Sequence, residues 1–174
     1  MTGNFIADNI PPIEEKEVPE DIMQGIFLHR RIDEFTDQHD SFSKAVEKLR
    51  PHHRKYAPVV IDILNDHLLS HNWSTFFDEP EPVFHNFAYD QLARQLERLP
   101  PKASRHVQAL LDYRYLRAYN TKEGLEDILK RMDKRTRFPS DFASAADHLF
   151  ADFDFYNELF IKLYRDLLIL VREG

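Results

Sequence analysis

Thr121-Lys122-Glu123-Gly124-Leu125-Glu126-Asp127-Ile128-Leu129-Lys130-Arg131-Met132 decides the fold class of this chain. Leu125, Ile128, Leu129 and Met132 recur at i, i+3, i+4 and i+7, one face of a helix, and charged residues fill the positions between. Asn120 and Thr121 stand just ahead of this run, where a helix takes its N-cap. Upstream, Val107, Leu110 and Leu111 predict another helix, running into the aromatic group Tyr113, Tyr115 and Tyr119, which is expected to line the core or a groove. Before that, a helix is expected over about 83–99, with Phe84, Phe87 and Leu96 on its buried side. Pro58 opens one through Val59, Ile63 and Leu64 to about residue 70, and a short one is expected over 41–49 with Phe42, Val46 and Leu49 inward. The first begins at Pro19, with Glu20 and Asp21 at the positive end of its dipole, and reaches about residue 36. Downstream, one long helix is expected from about 141 to 172, carrying Phe142, Leu149, Phe153, Phe160, Leu163 and Leu167. Prolines punctuate these segments, at positions 11, 12, 19, 51, 58, 80, 82, 100, 101 and 139. No strand pattern intervenes, so the chain reads as all-α, a helical bundle forming a single domain over 1–174.

Composition narrows the function classes. The 174 residues suffice for one domain with a proper core, rich in aromatics with 14 Phe and 7 Tyr. Four glycines are too few for a glycine-rich nucleotide loop, and no such motif is present. With no cysteine, thiolate metal clusters, disulfides and thiol nucleophiles are excluded, and a reducing cytoplasm is the expected compartment. A formal charge of -7 argues against a general nucleic-acid partner. No apolar run has the length of a membrane span, and residues 1–8 lack the basic start and apolar stretch of a signal peptide.

Chemistry concentrates on two of the expected helices. His29 lies one heptad after Ile22, and Asp33 one heptad after Ile26, so both continue an apolar stripe. An imidazole and a carboxylate aimed inward need a partner: a metal ion shared across i, i+4, or a buried ion pair. The helix after Pro58 repeats the pattern with Asp62 and Asp66, also i, i+4, and His67 follows. Its apolar residues run nearly all round, which points to a buried helix; a single solvated edge is the alternative. With Asp8 added, these residues make a mixed nitrogen and oxygen donor set that suits Mn²⁺, Mg²⁺ or Fe²⁺, and Zn²⁺ given enough imidazole. Arg30 and Arg31 follow His29, and Arg50-Pro51-His52-His53-Arg54-Lys55 is a basic run, either a solvated loop or an anchor for phosphate or an acidic partner. Lys134, Arg135 and Arg137 form a further basic cluster, expected at the surface.

Several blocks together resemble a known family. Gly3-Asn4-Phe5-Ile6-Ala7-Asp8, Gly25-Ile26-Phe27-Leu28-His29-Arg30-Arg31-Ile32-Asp33-Glu34-Phe35-Thr36-Asp37, Arg54-Lys55-Tyr56-Ala57-Pro58, Asp62-Ile63-Leu64-Asn65-Asp66-His67-Leu68-Leu69 and Asn72-Trp73-Ser74 occur in the order found in acyl carrier protein phosphodiesterases. The resemblance is dense over 3–74 and looser afterwards. It implies a helical fold distantly related to HD-type phosphohydrolases. It also implies Mn²⁺-favouring hydrolysis of the phosphodiester that joins 4′-phosphopantetheine to a serine of holo-acyl carrier protein. On that reading Asp8, His29, Asp33 and Asp66 hold the ion, with Asp62 in or beside its ligand shell. Arg30 or Arg31 would offset charge on the phosphoryl oxygens, and Asp37 or His67 would orient a ligand or relay a proton. Arg31, Arg50, Arg54 and Lys55 would meet the carrier protein. Family members usually begin with a further segment, Asn-Phe-Leu-Ala-His, whereas this chain starts at Met1-Thr2; either the start is truncated or the site is assembled without that histidine. Two other readings fit the residues: a metal phosphohydrolase of nucleotides or other small phosphodiesters, and a non-catalytic helical binding protein.

Overall fold

A computed structural model describes residues 1–136 and 141–173. Arg137 and Pro139, singled out above, lie outside the described residues. Among those described there is no strand. The all-α expectation holds, and none of the described helices is long and apolar enough to cross a membrane. The helices are α1 Thr2–Ile6, α2 Glu20–Gln38, α3 Asp40–His53, α4 Ala57–His71, α5 Trp73–Phe76, α6 Glu81–Gln95, α7 Pro101–Tyr113, α8 Lys122–Asp133, α9 Ala145–Ala151 and α10 Phe153–Arg172. Short 3-10 turns join several of them, at Ala7–Asn9, Glu15–Glu17, Arg54–Tyr56, Leu96–Arg98, Tyr115–Asn120 and Phe142–Ser144.

The chain gathers into two compact units, each made of two separate stretches: 1–34 with 79–116, and 35–78 with 117–174. The first unit is built on Ile6, Ile10, Ile22, Ile26, Tyr89, Leu92, Leu99, Ala103, Val107 and Leu110. Here α1 and α2 meet backbone to backbone. A Cβ placed on Gly3 would come within 1.9 Å of the Ile22 carbonyl oxygen, so only glycine allows this crossing. Arg98 clamps the start of α2 from the surface, its two terminal nitrogens donating to the two Asp21 carboxylate oxygens at 2.9 and 2.8 Å.

The second unit packs α3, α4, α8, α9 and α10 around Leu49, Val60, Leu64, Leu68, Leu125, Leu129, Phe142, Leu149 and Phe160, with smaller residues between. Thr121 caps α8 as expected, its Oγ1 accepting from the Gly124 backbone N–H at 3.1 Å. His39 caps α3 in an unusual way: its Nδ1 accepts from the Ser41 N–H at 3.1 Å, which leaves Nε2–H to donate to Asp166 at 3.0 Å. The cap therefore selects one tautomer and ties α3 to α10.

Several expectations need correction. Phe84 and Phe87, expected on the buried side of the helix over 83–99, are exposed at 37% and 53%; α6 buries His85, Ala88, Tyr89 and Leu92 instead, and Tyr113 is exposed rather than lining the core. The long helix placed at 141–172 is broken: a 3-10 turn, then α9, then α10, with Asp152 between the last two at φ −125° and ψ 38°. Asp favours the non-helical position ahead of a helix, and the Asp152 carboxylate pairs with Lys48 of α3 at 3.0 Å. Pro51 does not end α3; the helix carries it inside and continues to His53. And α4 is not buried all round: Val60, Ile61, Ile63, Leu64, His67 and Leu68 are buried, while Val59, Asp62 and Asp66 are exposed. One solvated edge suffices for both carboxylates.

Candidate metal centre

The first 10 Å or so of α2 is held in place by Ile22 and Ile26, which sit in the first unit's core at 4% and 0% exposure. One turn further on, the covered face opens. His29 keeps 19% of its side chain exposed and Asp33 53%. Asp33 thus departs from the inward position expected for it, because the stripe that is apolar at Ile22 and Ile26 comes out into solvent as the helix proceeds. The 3-10 turn after α1 brings Asp8 to the same place, its side chain 78% exposed.

Both carboxylates aim at one atom. His29 Nε2 lies 3.2 Å from Asp8 Oδ1 and 3.0 Å from Asp33 Oδ2. The three donor atoms lie within 4.8 Å of one another, and among the described residues no other group of three histidine or acidic side chains is gathered so closely. A single ring N–H points at one acceptor, whereas a cation at the common focus satisfies all three donors. Two carboxylate oxygens and one imidazole nitrogen match what Mn²⁺, Mg²⁺ and Fe²⁺ take from proteins, and the solvent-open side leaves positions for water and substrate.

Other expected residues take different places. Arg30 is exposed and ion-paired with Glu15, an acidic residue of the preceding turn whose role no sequence motif signalled. Arg31 is exposed, and Asp37 is exposed one turn beyond Asp33 on α2. Asp62 and Asp66 belong to the second unit and are not members of the three-residue cluster. Asp66 reaches solvent, yet dense protein around it pushes its carboxyl up to about 6, against a lowering hydrogen bond from the Tyr119 side chain. His67 is buried, its Nδ1–H donating to the Tyr119 carbonyl at 2.7 Å, and desolvation lowers its pKa. Tyr119 therefore serves both members of the Asp66-His67 pair, a link the sequence reading of Tyr119 as core or groove wall did not make. Arg50, Arg54 and Lys55 are exposed at the end of α3. Arg54 sits at φ 49°, ψ −122°, a backbone state that costs a non-glycine residue about 1–3 kcal/mol.

A family model described as acyl carrier protein phosphodiesterase matches residues 1–167, nearly the whole chain. The chain belongs to the acyl carrier protein phosphodiesterase family. A relative named acyl carrier protein phosphodiesterase, from Enterobacter sp. (strain 638), is 34% identical over 136 residues, which cover 78% of this chain and 70% of that relative. One of the same name from Klebsiella pneumoniae (strain 342) is 32% identical over the same share of each chain. No solved structure matches. Membership makes this protein one of a family of phosphodiesterases, enzymes of the hydrolase class.

Proposed function

We propose that this protein hydrolyses the phosphodiester between 4′-phosphopantetheine and a serine of holo-acyl carrier protein, releasing the apo carrier, with Asp8, His29 and Asp33 holding a divalent cation. The observation that carries the metal half is the convergence of both carboxylates on His29 Nε2. Family membership supports the substrate. The donor set favours Mn²⁺, with Mg²⁺ and Fe²⁺ also suited.

When bound, such an ion supplies Lewis acidity, lowering the pKa of a coordinated water and polarising a phosphoryl oxygen. The residues do the rest. Asp8 and Asp33 provide the negative charge that retains a divalent ion, and His29 fixes its place relative to α2. Glu15 restrains the Arg30 guanidinium, whose five N–H donors leave hydrogen bonds to spare for phosphoryl oxygens. The oxygen of a water molecule bonds to phosphorus as the serine oxygen leaves, and the proton released by that water passes to the serine oxygen, giving the free hydroxyl and the phosphomonoester. Arg31, and separately Arg50, Arg54 and Lys55, present exposed positive charge to an acidic carrier. The metal assignment rests on Asp8, His29 and Asp33 alone.

Intact-mass analysis of holo-carrier incubated with the protein and Mn²⁺ tests the reading. The expected result is conversion to the apo mass with release of free 4′-phosphopantetheine. An unchanged holo mass, under conditions where the Enterobacter relative converts it, overturns the proposal.

A further inference from the structure

A second cluster, of imidazoles, lies within the second unit. His53, the last residue of α3, is buried at 4% exposure, and neither of its ring nitrogens has a hydrogen-bond partner among the described residues. A buried imidazole with both nitrogens unsatisfied gives up its hydration for nothing, so such a ring calls for a partner. The His148 ring of α9 stands 5.6 Å from it, nearly perpendicular at 81°. The His52 ring, exposed, also lies against His148, with ring centroids 4.0 Å apart and planes tilted by 32°.

We propose that His52, His53 and His148 form a site for a borderline transition-metal ion, Zn²⁺ in the first instance, distinct in place and donor chemistry from the carboxylate-rich centre at Asp8, His29 and Asp33. Two imidazoles sharing one tetrahedral ion at metal–nitrogen distances of about 2.0–2.1 Å have ring centroids roughly 5–6 Å apart. The His53–His148 pair has that separation without rearrangement. His52 at present lies over His148 rather than beside it, so the third nitrogen joins by rotation of an exposed side chain, which the surface allows. Nitrogen-only donation selects Zn²⁺, Ni²⁺ or Cu²⁺ over the Mg²⁺ and Mn²⁺ that oxygen-rich sites accept.

The electrostatics agree. Burial and the neighbouring His148 and His52 rings hold the His53 pKa below its ordinary value. The Asp141 and Asp133 carboxylates act on His53 in the opposite sense, favouring positive charge beside it. An ion there ties the C-terminal end of α3 to α9.

The test is calorimetric titration of the metal-stripped full chain with Zn²⁺. Two classes of site are expected. His148→Gln or His52→Gln should weaken one class at least tenfold and leave the other unchanged, and Asp33→Asn should do the reverse. With Co²⁺ as the probe, visible d–d bands of a nitrogen-rich tetrahedral site should survive Asp33→Asn and vanish in His148→Gln. Since His52 is exposed and His148 only half-buried, these variants should fold, and circular dichroism checks that they do. A single class abolished by Asp33→Asn, or two classes both indifferent to His52→Gln and His148→Gln, overturns the proposal.

Discussion

Asp66 shows at residue scale how surroundings set a carboxyl group's charge. Its folded-state pKa, about 6, stands above the ordinary 3.8, so the folded protein holds on to a proton that the unfolded chain releases. Asp66 therefore adds stability that is fully present below pH 3.8 and is lost as pH rises through about 6. Replacing it with Asn keeps an acceptor for the Tyr119 hydroxyl and removes the ionisation. We expect Asp66→Asn to melt higher than wild type at pH 8, and the gap to close between pH 6 and 4; melting followed by circular dichroism across that range measures it. A gap independent of pH would mean that Asp66 ionises freely in the folded state. The residues of the metal centre were legible only in part. His29 and Asp33 announce themselves by i, i+4 spacing on one helix. Asp8, 21 residues away in a 3-10 turn, carries no local signal of its own and entered the donor set only as one further carboxylate beside those of the two helices. Glu15 carried none at all, because an acidic residue in an acidic stretch says nothing of which arginine it will meet.

Elements were read well where local periodicity and tertiary covering agree. The stripe of α8 is buried as its spacing says, Leu125 and Leu129 fully. The break at Asp152 was invisible because Leu149, Phe153 and Phe160 keep helical register straight across it, and periodicity does not encode the non-helical backbone of Asp152. For α4 the sequence showed apolar residues nearly all round, and nothing within one helix says which arc its neighbours will cover. The α1–α2 crossing makes a sharper claim about elements. Gly3 meets the Ile22 backbone oxygen, which cannot swing aside as a side-chain end would. Gly3→Ala should force the two helices apart and cost about 1–3 kcal/mol, read as a lowered urea midpoint with little change in slope. Because the turn carrying Asp8 follows α1 directly, the same substitution should also weaken metal binding.

At the scale of the molecule, the fold class followed from sequence, but the division into two units did not. Each unit joins stretches far apart in the chain, 1–34 with 79–116 and 35–78 with 117–174, and only tertiary contacts reveal such pairing. Metal binding then has a global readout, since an ion that binds only the folded chain stabilises it by mass action. Mn²⁺ at a hundredfold excess over its Kd should add about 2.7 kcal/mol to folding stability. Chelation should reverse the gain, and Asp33→Asn should abolish it. Thermal melts of both proteins with and without Mn²⁺ check this; equal stabilisation of the variant would place the ion elsewhere.

The openness of the acidic triad has a consequence for supply. Three protein donors, two of them on carboxylates exposed at 78% and 53%, leave the rest of an ion's coordination sphere to water. An ion held by carboxylates this exposed would exchange with the medium rather than being locked in at folding. On the proposed reading, occupancy would therefore track the free concentrations of competing cations as well as the preference of the donor set.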